Sequence, residues 1–103
     1  TAMALMFCGA KGNISVTANI APHAMHQLCI AAMQGRVADA IELNNKLLPL
    51  HNKLFVEPNP LPVKWAMAEM GLIPTGIRLP LVPLASEYHQ TVRSALSESG
   101  VLQ

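Results

Sequence analysis

The chain has 103 residues, of which 51% are hydrophobic and 13% charged, with a formal net charge of +1 and a mean hydropathy of +0.34. That composition is too apolar for a disordered chain and sets about one small domain, and the lack of a basic stripe together with only 4% aromatic residues argues against nucleic acid as a partner. A domain this short exposes much of its surface, so the apolar excess predicts that other polypeptide covers part of it.

Residues 1 to 8 read as the end of an apolar helix, with Gly9 as its stop. The opening "TAMALMFCGA" bears a faint likeness to a secretory core, but no basic segment precedes it. The absence of an initiator Met favours a helix already under way, in a sequence that begins mid-chain. Next comes "GAKGNISVTANI", where Ile14, Val16 and Thr17 are β-branched and predict a strand near 13–17. Gly12 just before it permits close backbone approach. One strand cannot make a sheet, so either it pairs with other sequence or it is not a strand.

Pro22 suits the first turn of a helix running to about Gln34, stopped by Gly35. Met25, Leu28, Cys29 and Ala32 or Met33 supply its period. A further helix starts near Arg36, with Val37, Ala40, Ile41, Asn44, Leu47 and Leu48 as its apolar face. Pro49 is expected to kink or break it, with the pattern resuming at Leu50, Leu54 and Phe55. In "NKLFVEPNPLPVKWAM", Asn59 is placed to cap a helix from Pro60 to Met70, ended by Gly71. Val63, Ala66, Met67 and Met70 form its apolar side, which makes the proline stretch a rigid corner. The loop "IPTGIRLPLVPLA" leads to a last helix from about Ser86 to Ser99, stopped by Gly100. No apolar run approaches the ~20 residues of a membrane span.

No catalytic constellation emerges from the residues themselves. His23, His26 and Cys29 share one helix face at i, i+3, i+6, yet no fourth ligand lies nearby in sequence, and solvated histidines beside a core cysteine are the simpler reading. Cys8 and Cys29 lie in apolar surroundings without an activating base, and two cysteines make no disulfide framework, which favours a reduced cytoplasmic chain. Ser15 lacks a GxSxG setting. "GAKG" lacks the glycine spacing and Lys-Ser/Thr pair of a phosphate loop. Of Lys11, Lys46, Lys53 and Lys64, none lies in a strand, and a Schiff-base lysine needs a desolvated pocket. Lys64 beside Trp65 is the most suggestive, but a helix-surface lysine is solvated by default.

The segments "GAKGNISVTANIAP", "LHNKLFVEPNPLPVKWAM" and "IRLPLVPL", in this order and spacing, resemble the C-terminal third of the bacterial dihydrodipicolinate synthase family. The resemblance covers essentially the whole chain, and "FVEPNPLPVKWA" is its most specific part. It implies an α/β fold: the end of a (β/α)8 TIM barrel over residues 1–35, with the last strand near 13–17, and a C-terminal helical domain over 36–103. The piece itself would be mostly α. It further implies a lyase of lysine and diaminopimelate biosynthesis that condenses pyruvate with L-aspartate 4-semialdehyde, through a Schiff base on a barrel lysine assisted by a tyrosine relay. Those catalytic residues do not map here, so the chain alone is expected to be inactive. Carried over residue by residue, Ile14 matches a wall of the pyruvate site. Asn59 matches the corner above the catalytic mouth, where the corner either pins the helical domain or only packs. Phe7 and Cys8 match a contact region between subunits. Asn13 replaces the family's commoner valine and is expected to face away from the barrel interior. The resemblance implies no metal or cofactor, a homotetramer built as a dimer of dimers, and a cytoplasmic protein. Two other readings stand beside it: another pyruvate-dependent aldolase such as N-acetylneuraminate lyase, and a non-catalytic helical interaction module.

Overall fold

The structure, a computed structural model, describes residues 2–102. Its regular elements are α1 (Ala2–Phe7), α2 (Thr17–Ile20), α3 (Pro22–Met33), α4 (Val37–Lys53), α5 (Leu61–Glu69), a 3-10 turn (Ser86–Tyr88) and α6 (His89–Glu98).

Helix stops follow one rule. Gly35 has φ +73°, a left-handed conformation that a side chain would strain. Its N–H reaches the Ala32 carbonyl, while the N–H of Arg36 reaches back to Ala31, so the last turn of α3 closes as a Schellman motif. The same pair of bonds follows α1 at Gly9, α5 at Gly71 and α6 at Gly100. Pro22 stands in the first turn of α3, where a missing N–H costs nothing.

The core runs along α4, which packs against α3 and against α6. Ile20, Leu28, Leu47, Leu50, Leu54, Val92 and Leu96 are all fully buried there. Each such side chain contributes roughly 1.5–3 kcal/mol relative to an exposed one. The short Gly35–Arg36 turn folds α4 back along α3, and α6 lies across α4.

Four expectations need correction. Residues 11–15 form no regular structure, and among the described residues there is no strand. None of their N–H or C=O groups takes part in a backbone hydrogen bond with the described residues, and a strand exists only by pairing. Thr17 instead opens α2, a turn of helix that the β-branched run concealed. Pro49 does not break α4, which runs through it. Asn45, whose carbonyl loses its partner, is exposed and reaches water, while Leu47, Leu50 and Leu54 anchor both sides. The buried face of α4 is Ala40, Leu47 and Leu50, whereas Val37, Ile41 and Leu48 are exposed. Asn59 is not a cap: Pro60 takes the N-cap place of α5 and no side chain caps it, since Asn59 sits one residue too far out. Pro62 stands in the first turn of α5.

Candidate functional site

The extended run 11–15 borders a hollow of about 260 Å³, lined by Ala2, residues 13–17, His51 and Phe55. Ile14 is among the lining residues and is fully exposed, with a relative exposure of 105%. Phe55, also exposed, borders the same hollow, so Ile14 belongs to an apolar patch rather than standing alone, and such a patch suits a covering partner. Asn13 turns toward α3, where its amide nitrogen donates to the Cys29 sulfur at 3.8 Å.

Local bonds shape the bend that follows. The Ser15 hydroxyl accepts from the Ala18 N–H at 3.2 Å, and the Asn19 amide donates to the Val16 carbonyl at 3.1 Å. Thr17 is buried, and its hydroxyl lies 2.8 Å from His51 Nδ1, with the donor set by the ring tautomer. Burial holds the His51 pKa below its ordinary 6.5, so the ring is neutral near pH 7.

The proline corner makes a second cluster. Glu57 Oε1 accepts from the Ala85 N–H at 3.2 Å, tying the corner to the lead-in of α6. Trp65 stacks on His89, with ring centroids 4.5 Å apart and planes 20° off parallel. The Arg93 guanidinium stands 5.4 Å from the Trp65 ring and pairs with Glu69 at 3.1 Å. His89 Nε2 and the Leu84 carbonyl are 3.0 Å apart. Opposite polarities thus meet around one indole, and α5 and α6 are clasped at their exposed side.

The expected site residues are not brought together. Asn59 is exposed in the corner and does not line the hollow. Phe7 and Cys8 are exposed at the end of α1, and Phe7 borders a separate hollow with Lys11 and Met33. His23 and His26 are exposed, and among the described residues no three His, Cys, Asp or Glu side chains converge as metal ligands would. No helix among them is long and apolar enough to cross a membrane. Sequence reasoning missed Thr17 and His51, whose 34-residue separation leaves no local signal.

The geometry thus defines a helical unit with a closed core and one open edge, along the extended run beneath Ile14. The model of the dihydrodipicolinate synthetase family matches residues 1–99, and the chain belongs to that family. It is 76% identical, over all 103 residues, to the 4-hydroxy-tetrahydrodipicolinate synthase of Herminiimonas arsenicoxydans, and 59% identical over 102 residues to that of Pseudomonas aeruginosa. It spans 100% and 99% of itself in these matches but 35% of the length of each relative. The crystal structure of the chloride-inhibited dihydrodipicolinate synthase of Acinetobacter baumannii, complexed with pyruvate, superposes with a TM-score of 0.95 at 58% identity. That match covers 99% of this chain and 35% of the Acinetobacter one.

Proposed function

We propose that this sequence is the C-terminal third of a Schiff-base-forming lyase, which condenses pyruvate with L-aspartate 4-semialdehyde to 4-hydroxy-tetrahydrodipicolinate in lysine biosynthesis. In this reading residues 1–35 end a (β/α)8 barrel and residues 36–103 form its helical extension. The extended run 11–15 becomes the last barrel strand once neighbouring strands supply its hydrogen bonds, with Thr17 staying in α2. Ile14 is an apolar wall of the pyruvate site, and Asn59 supports the mouth of that site. Phe7 and Cys8 belong to a subunit contact of a cytoplasmic homotetramer.

The observation that carries the reading is the exposed Ile14 in a run without backbone partners among the described residues, in a chain 76% identical to a synthase. The chemistry suits that placement. A lysine attacks a ketone only as the free amine, and an apolar, desolvated wall lowers its pKa toward that form. Ile14 supplies such a wall without entering the reaction. The lysine that forms the imine and the tyrosine that relays protons lie outside these 103 residues.

The test is reductive trapping. The full-length protein is mixed with pyruvate and borohydride, and its mass is recorded before and after digestion. One reduced pyruvate per chain is expected, on a peptide outside residues 1–103. The isolated 103-residue chain is expected to take up none. An adduct on Lys11, Lys46, Lys53 or Lys64, or an unlabelled full-length protein, overturns the proposal.

A further inference from the structure

Ile14 is fully exposed, so its position is set by its neighbours in the chain. Three residues on, Thr17 is 2% exposed, and a buried hydroxyl requires a partner. His51 Nδ1, 2.8 Å away on α4, is that partner. Among the side-chain hydrogen bonds of the described residues, this one alone joins residues 13–17 to α4. α4 is a firm post at this point, because Leu47, Leu50 and Leu54 are buried to 1% or less on either side of His51. The Ser15–Ala18 and Asn19–Val16 bonds stiffen the bend between Thr17 and Ile14, so displacement of Thr17 is passed along to the extended run.

We infer that Thr17 and His51 are a positioning pair, whose hydrogen bond fixes the backbone of residues 13–16 and with it the wall that Ile14 presents to pyruvate. This rests on the placing of Ile14 at the pyruvate site proposed above. Neither residue touches substrate; each acts through the segment it holds. The pair also links the helical extension to the reacting region, since His51 lies within α4. The hydroxyl donates to a bare Nδ1 or accepts from Nδ1–H according to the ring tautomer, so the bond is available to the neutral ring in either form.

The test uses steady-state kinetics of the full-length protein. Thr17→Val removes the hydroxyl and preserves shape. It is expected to raise the KM for pyruvate about fivefold, the scale of one lost hydrogen bond. The KM for the semialdehyde and kcat at saturation should stay within about twofold. Thr17→Ser, which keeps the hydroxyl, is expected to recover most of the pyruvate KM. His51→Leu reaches the same bond from the other side and should raise the pyruvate KM alike, and the double variant should be no worse than either single one. An unchanged pyruvate KM in both single variants overturns the inference. So does a loss of kcat at constant KM with a lowered Tm, which is the mark of a merely structural bond. Borohydride trapping on the wild-type protein separates the two claims: an adduct with unaltered variants sinks only the positioning pair, whereas no adduct sinks both.

Discussion

His51 shows how burial converts one side chain into a pH-dependent contribution to stability. Its folded pKa lies below 6.5 because the half-buried ring resists charge. As pH falls, the unfolded chain therefore takes up this proton first. The stability that the neutral ring contributes is complete above about pH 6.5 and drains away as pH falls from there through the depressed folded value. We expect the Tm of the full-length protein to drop between pH 7.5 and pH 5.5, and the drop to be smaller in His51→Gln; thermal melts at the two pH values check this. An equal drop in both proteins would assign the pH response to other groups. Residue-scale features of this kind are the least legible in the sequence. Thr17 sits in a run of β-branched residues that reads as strand, and nothing near it announces a histidine 34 positions away. Asn59 carried the right chemistry for a cap, one place too early.

At the scale of elements, punctuation was the legible part. Gly9, Gly35, Gly71 and Gly100 end helices for a purely local reason, the positive φ that each adopts. Pro22 and Pro62 begin helices for another, the missing N–H. The inward face of α4 was not legible, because the helix is apolar on two sides. Val37, Ile41 and Leu48 make one stripe, while Ala40, Leu47 and Leu50 make another, and periodicity cannot say which of two apolar stripes the core will take. The exposure of the Val37, Ile41 and Leu48 stripe agrees with an extension that packs against a larger body. Pro49 is a similar case: its cost is local, and the burial of Leu47 and Leu50 on either side outweighs it. Leu50→Ala is expected to destabilise the full-length protein by about 2–5 kcal/mol, whereas Leu48→Ala in the outer stripe of an isolated chain should cost under about 1 kcal/mol. Urea unfolding of each variant decides. Comparable losses would mean that the two stripes are wrongly assigned.

For the whole molecule, two numbers point the same way. The surface is 6300 Å², against about 5,700 Å² for a folded monomer of this mass. The radius of gyration is 14.3 Å, against about 13 Å for a compact domain of about 100 residues. Leu5, Phe7, Ile14, Met33 and Phe55 are among the exposed apolar side chains responsible. The apolar composition foreshadowed this surplus, and the chain spans 35% of the length of its relatives. The isolated 103-residue polypeptide is expected to bind an apolar fluorescent dye such as ANS strongly at neutral pH, and the full-length protein to bind it weakly. Equal, weak binding by both would show that these side chains need no cover.

The unpaired run at residues 11–15 also bears on the order of events during synthesis. The helices after it find their buried partners among themselves and can settle soon after leaving the ribosome. Residues 11–15 have no backbone partner among the described residues, and in the proposed reading they gain one only from neighbouring strands. A segment that is unsatisfied among self-sufficient neighbours is a natural place for a late folding step. Until that step, residues 11–15 are an extended segment with unpaired backbone groups, the form that stray strands would extend into an aggregate.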